Sequence, residues 1–219
     1  MTEARVSTAP RVAYQGEPGA YGEMAIVHQW GGLAAAVGAS SFPDTLSLLG
    51  RGRADFAVIP VWNSTIGDIH DTTVLLAHHA PRIETVAELT VPVVHCLLTL
   101  PGASLTSVRY VGSHPTALAQ CRGLFTTRRG LQPCIAYDTA GAARELAALG
   151  DDGVASPSRN GVAAWFEPYR SSDPTALAVI ASASAARLYR LEVLVEGVQD
   201  RPTNTTRFVV VKAQDGVRW

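Results

Sequence analysis

Arg109-Tyr110-Val111-Gly112-Ser113-His114-Pro115-Thr116-Ala117-Leu118-Ala119-Gln120-Cys121 runs from a short apolar strand straight into a helix. Pro115 suits the first helical position, where a missing N–H costs nothing, and Ser113 or His114 stands at the cap. Gln120 falls about two turns further on. The same pattern recurs at Cys134-Ile135-Ala136-Tyr137, a strand, leading into Asp138-Thr139-Ala140-Gly141-Ala142-Ala143-Arg144-Glu145, a capped helix. Strands that alternate with capped helices predict an α/β fold. Two such joints aim two helix termini, each with partial positive charge, at one cleft.

The alternation continues on both sides. Arg11-Val12-Ala13-Tyr14 reads as a strand that enters the glycine-rich turn Gln15-Gly16-Glu17-Pro18-Gly19-Ala20-Tyr21-Gly22-Glu23 and then a helix at Met24-Ala25-Ile26-Val27. Its spacing departs from GxGxxG, which argues against a dinucleotide site and leaves either a plain turn or an anion cradle. Ser41 to Leu49 reads as a helix with Asp44 as N-cap, ended by Gly50-Arg51-Gly52. Ala54-Asp55-Phe56-Ala57-Val58-Ile59-Pro60-Val61 is a strand that empties into Trp62-Asn63-Ser64. Open α/β sheets place ligands at such carboxyl ends, so Asn63 and Ser64 read either as ligand contacts or as an Asx-turn. Leu89 to Leu100 is β-rich, and His95 within it reads as a hydrogen-bonded core histidine. With His78-His79 alone on a helical face, no ligand spacing predicts a metal.

Residues 150–174 interrupt the rhythm, since Gly, Ser, Pro and Asp crowd both ends of Val162-Ala163-Ala164-Trp165-Phe166. They read as an inserted excursion whose aromatics either form a lid or subunit contact, or staple the loop down through Trp165. Leu177-Ala178-Val179-Ile180-Ala181 resumes as a strand, Ser182 to Tyr189 as a helix, and Leu191 to Val195 as a strand. Asn204-Thr205-Thr206-Arg207-Phe208 then opens the last apolar run, Phe208-Val209-Val210-Val211. A β-branched run suits a buried strand. Its polar mouth is either a turn or a site in which a threonine hydroxyl donates and an arginine fork takes a carboxylate.

The chain has 219 residues, 47% hydrophobic and 17% charged, enough for a substantial core in one large domain or two lobes. Eighteen Lys+Arg against nineteen Asp+Glu give a net charge of −1. No bulk field draws it to nucleic acid or to an anionic membrane. Cys96, Cys121 and Cys134 are odd in number and sit in apolar contexts, as buried free thiols of a reducing compartment do. No apolar run spans a bilayer, and residues 1–10 read as a polar, flexible tail without leader character. These features predict a cytoplasmic protein.

Taken in order, QGEPGAYGE, VIPVWNS, VPVVHCLL, GSHPTALAQC, DTAGAA, IASASAARLY, VQD and NTTRF make the chain resemble the catalytic domain of prephenate dehydratase over about residues 12–211. The resemblance implies two α/β lobes around a central cleft with periplasmic-binding-protein-like, type II topology. Residues 11–90 with 192–219 would form one lobe, and 91–191 the other, carrying the 150–174 excursion. It implies decarboxylative dehydration of prephenate to phenylpyruvate without a cofactor or metal, on a dianionic small molecule, in a homodimer. By position, Thr206 would donate to the leaving hydroxyl. Asn63, Ser113 and Gln120 match substrate contacts, and Ser64, Thr139, Arg207, Phe208, Gly19 and Ala20 complete the pocket. Helix starts near Gly19, Ser113 and Asp138 would hold the carboxylates.

The sequence departs from the family in four places. Trp62 replaces the acidic residue of the Glu-Asn-Ser turn, which puts an indole beside the expected cleft. Tyr21-Gly22 replaces Phe-Ser, the 150–174 stretch is longer, and the C-terminal ACT regulatory domain is not found in the sequence. Two further readings follow: a related enzyme acting on prephenate or an analogue, such as a non-aromatising decarboxylase, and an inactive binding module.

Overall fold

The computed structural model describes residues 9–152, 164–169 and 173–219. The first lobe is laid down by β1 (Arg11–Gln15), α1 (Tyr21–Trp30), β2 (Ala35–Ala39), α2 (Phe42–Gly50), β3 (Phe56–Asn63), β4 (Gly67–Asp68), α3 (His70–His79) and β5 (Ile83–Pro92). The second follows as β6 (Cys96–Thr99), β7 (Tyr110–Ser113), α4 (Pro115–Ala119), α5 (Arg122–Thr127), β8 (Gln132–Ile135), α6 (Thr139–Asp152), β9 (Leu177–Ala181), α7 (Ala183–Tyr189) and β10 (Glu192–Glu196). The last strand, β11 (Thr205–Ala213), returns to the first lobe.

The first sheet runs β2-β1-β3-β11-β5, with β4 on β3, and the second runs β10-β6-β9-β7-β8. The returning β11 lies antiparallel between β3 and β5, and β6 is antiparallel to both β9 and β10. The short β4 is antiparallel to β3, and the pairs β1–β2, β1–β3, β7–β8 and β7–β9 are parallel, as strand–helix–strand crossovers require. Two crossings and an inserted returning strand make this the type II arrangement expected from the sequence.

The crossings fall at residues 93–95 and 197–204 and lie side by side. Val198 N–H donates to the His95 carbonyl oxygen at 2.9 Å, and Val93 N–H to that of Asn204 at 2.8 Å. This corrects the expected boundaries at both junctions: residues 91–92 belong to β5 of the first sheet, and residues 192–196 belong to the second sheet. All four residues of β6 are buried, so both of its edges need partners, and β10 supplies one of them.

A one-residue bulge positions the site. On β3, Asn63 pairs with Thr206 and Trp62 with Arg207, but Phe208 faces Pro60, so Val61 is the extra residue. Side chains alternate faces along a strand, and a bulge resets that alternation. Asn63 therefore shares a face with Pro60 and Val58, opposite Thr206 and Phe208, while Trp62 and Arg207 turn to the other face.

The loop from Gly16 to Ala20 ties the lobes together. Gly19 has φ +90°, and a Cβ there would stand 2.9 Å from the Cα of Ala185, so only glycine fits. Ser182 caps α7 by accepting from Ala185 N–H at 3.0 Å and donates to the Gly19 carbonyl oxygen at 2.7 Å. Tyr189 donates to that of Pro18 at 2.9 Å. A continuous apolar cluster that includes Val58 and Phe208 of one lobe and Leu98 and Val179 of the other completes the junction.

The N-cap of α2 is Ser41, which accepts from Asp44 N–H, so Asp44 occupies the third helical position and not the cap expected for it. Most of the expected 150–174 excursion, and the expected tail up to residue 8, lie outside the described residues. Within the excursion, Trp165 and Phe166 are buried, as the staple reading requires.

Candidate functional site

A cleft of about 590 Å³ lies between the lobes. Its wall includes Asn63, Thr206 and Phe208 from β3 and β11, Tyr21 and Gly22 from α1, Gln120 after α4, and Asp138 and Thr139 at the start of α6. Of the residues assigned to the site from sequence, Ala20, Asn63, Gln120, Thr139, Thr206 and Phe208 line it.

The others stand outside that wall, each with a visible reason. Ser113 is fully buried and donates to the Ile180 carbonyl oxygen at 2.6 Å, tying β7 to β9. Ser64 closes the turn instead, accepting from Thr205 N–H at 2.9 Å. Gly19 N–H donates to Glu23 Oε2 at 2.6 Å. Arg207 follows Thr206 on β11 and so faces the other side of the sheet, pairing with Glu88 at 3.4 Å and lying 5.8 Å from the Trp62 ring. Trp62 goes with it, so the indole expected beside the cleft faces the opposite side of the sheet.

The residues that do converge form one directional chain. Thr65 N–H donates to Asn63 Oδ1 at 2.9 Å, which fixes that amide's orientation. The Gln120 atom 3.2 Å from Asn63 Oδ1 must then be the donor Nε2. Gln120 Oε1 consequently accepts from Asn204 Nδ2 at 3.1 Å and from His95 Nε2 at 2.9 Å. His95 is buried, and burial lowers its pKa, so the ring is neutral with its proton on Nε2. The bare Nδ1 lies 3.1 Å from the Tyr21 hydroxyl, whose single hydrogen serves Nδ1 and the Val94 carbonyl oxygen, 2.8 Å away. Burial also holds the Tyr21 phenol well above its ordinary pKa, so it keeps that hydrogen.

At its other end the chain reaches Thr206. Asn63 Nδ2 faces Thr206 Oγ1 at 2.9 Å, Asn204 Oδ1 at 2.9 Å and the Thr205 carbonyl oxygen at 3.0 Å. An amide nitrogen only donates, so Thr206 Oγ1 is the acceptor here. Its own hydrogen has no acceptor among the described hydrogen bonds and is left for the cleft. His95 and Tyr21, 74 residues apart in sequence, escaped the sequence reading of the site. Tyr21 stands out only as a departure from the family's Phe-Ser, and His95 only as a histidine in an apolar strand, which a core residue gives equally well.

The neutral His95 predicts a pH dependence. Burial moves His95 titration below the ordinary imidazole range, so the ring holds the neutral Nε2–H tautomer to lower pH than a free imidazole does, a difference that ring-nitrogen NMR shifts report. The unfolded chain binds that proton below about pH 6.5 and the fold does not, so the stability that His95 contributes falls as pH drops below that value. A His95 ring that titrates at or above the ordinary imidazole range would break the inferred direction of the chain. Among the described residues, no three of His, Cys, Asp and Glu come together as a metal site.

The family model described as prephenate dehydratase matches residues 12–216. The chain belongs to the prephenate dehydratase family. It is 39% identical over 96% of its length to arogenate dehydratase 1 of Petunia hybrida, of which it covers 45%. It is 35% identical over 92% of its length to a bifunctional N-acyl-homoserine lactone acylase/prephenate dehydratase of Komagataeibacter europaeus, of which it covers 61%. The chain thus spans about half the length of these relatives. Its fold matches that of the prephenate dehydratase of Arthrobacter aurescens solved with L-Phe, with TM-score 0.74 and 23% identity over 95% of this chain and 62% of that one. Within the prephenate dehydratase fold, the amide chain joins both lobes beside the two crossings.

Proposed function

We propose that the cleft catalyses decarboxylative dehydration of a 4-hydroxycyclohexa-2,5-diene-1-carboxylate, converting prephenate to phenylpyruvate. The substrate named for the petunia relative, arogenate, carries the same ring and would give phenylalanine. In either case the bond from C1 to its carboxylate breaks and carbon dioxide leaves. The electron pair closes the aromatic ring and expels the C4 hydroxyl, which takes up one proton and departs as water. The enzyme need only hold the ring and stabilise charge on the departing oxygen.

The observation that carries this reading is the free hydrogen of Thr206. Because Asn63 fills an acceptor position on Oγ1, the hydroxyl is set as a donor into the cleft before any substrate arrives. Such a preorganised donor strengthens its hydrogen bond as the oxygen becomes anionic. Asn63, Gln120 and His95 hold Thr206 in that role, and Ala20, Thr139 and Phe208 shape the space around the ring. Arg207, Ser64, Ser113 and Gly19 act through the framework, by pinning the strands and loop that carry these groups. A cytoplasmic homodimer completes the proposal. Three buried free thiols support a reducing compartment, and the family resemblance supports the dimer.

Incubation with prephenate or arogenate, followed by mass spectrometry, tests the reaction. Carbon dioxide release with phenylpyruvate or phenylalanine is the expected result. A dihydro-hydroxyphenyl product that keeps the oxygen would make the protein a decarboxylase, and binding without turnover would make it a receptor.

A further inference from the structure

We propose that Asp138 is a specificity-determining residue whose carboxylate receives an ammonium group, so that the cleft prefers the amino-acid substrate to the keto-acid one. This rests on the dehydratase reading and sharpens it. The two substrates share a ring and two carboxylates and differ at one side-chain carbon, which bears a ketone in one and an ammonium in the other.

The charges on the wall favour a cation. Among the described residues it holds no lysine or arginine, but it has Asp71 at the exposed rim and Asp138 buried inside. Its two histidines, His95 and His114, are kept toward the neutral form by burial. The two arginines nearest in the sequence argument are engaged elsewhere: Arg207 with Glu88 on the far face, Arg144 with the Tyr137 hydroxyl at 3.3 Å and with Glu17 at 3.8 Å.

The helix start expected to hold a substrate carboxylate is already filled. Asp138 Oδ1 accepts from Gly141 N–H at 2.8 Å, so the positive end of α6 is answered by the chain's own anion. The carboxylate lies against Gly16, where an added Cβ would stand 3.3 Å from Oδ2. Burial first, and then the nearby Glu17, raise the Asp138 pKa, although backbone N–H groups of Gly141, Ala140 and Glu17 oppose the shift. A cation beside Asp138 relieves that strain on the charged form; a ketone oxygen sets lone pairs against lone pairs. Asp138 is also the N-cap, a role that asparagine fills equally well, so the charge can be removed while the cap is kept.

The experiment compares kcat/KM for arogenate and prephenate in the wild type, Asp138→Asn and Asp138→Ser, with calorimetric binding of both compounds to Thr206→Ala and to the Thr206→Ala/Asp138→Asn double variant. The wild type is expected to prefer arogenate by about 10- to 100-fold, the range of one charge-assisted hydrogen bond, and Asp138→Asn to cut the ratio by about tenfold or more. A structural fault would lower both substrates together and leave the ratio in place. A wild-type preference for prephenate, or a ratio that neither variant moves, overturns the proposal while the dehydratase reading stands. If neither compound is dehydrated, that reading fails and binding decides: tighter arogenate binding that weakens in the double variant sustains the role of Asp138, and equal binding of the two overturns it.

Discussion

Replacing Thr206 by valine is expected to lower kcat by about 10²-fold or more with KM changed only a few-fold, the pattern of a donor that acts mainly in the transition state. Valine keeps the branched shape on β11 and removes only the hydroxyl. Serine at the same position keeps the donor and should retain much of the rate. Steady-state kinetics on whichever ring substrate is dehydrated measure both. The geometry makes the prediction sharp, because the hydroxyl already accepts from Asn63 at 2.9 Å and has one hydrogen to give. Equal kcat in wild type and valine variant would remove Thr206 from the mechanism and leave the chain behind it a structural network.

Replacing Trp165 by alanine is expected to destabilise the fold by about 3–5 kcal/mol, read as a lower denaturant midpoint. The indole is buried and lies flat on Gly112 of β7, where an added Cβ would come within 2.4 Å of the ring. Its Nε1 donates to the Ala142 carbonyl oxygen at 3.3 Å, and its backbone N–H to Glu145 Oε2 at 3.2 Å. Removing the ring leaves a cavity against β7 and α6 and loosens the start of the helix that carries Asp138 and Thr139. A loss under about 1 kcal/mol, the scale of a surface substitution, would show that the aromatic pair is not a staple.

Much of this architecture is readable in the sequence. Pro115 after Ser113-His114, and Gly141 three residues after Asp138, mark strand-to-helix joints through local chemistry, and such joints in series imply the lobes. Thr206, Asn63 and Gln120 are singled out by their places in NTTRF, VIPVWNS and GSHPTALAQC, and all three line the cleft. What escaped depends on pairing. Val61 carries no mark that it will be a bulge, yet that one residue sends Trp62 to the far face and brings Asn63 to the near one. Ser113 looked like a ligand contact because its partner, the Ile180 carbonyl oxygen, lies 67 residues away. The place of residues 192–196 turned on which side of β6 lacked a partner, and a linear reading of strand propensity cannot see that.

His95 and Asn204 stand on the two strips of chain that pass from lobe to lobe, and Gln120 bridges them. In a pair of jaws, displacement grows with distance from the fulcrum. Any parting of the halves about these strips would displace the rim more than the Thr206 donor, which Asn63 ties to Asn204 beside them. A donor held beside the fulcrum would keep its alignment while the rim moved to admit substrate and release product.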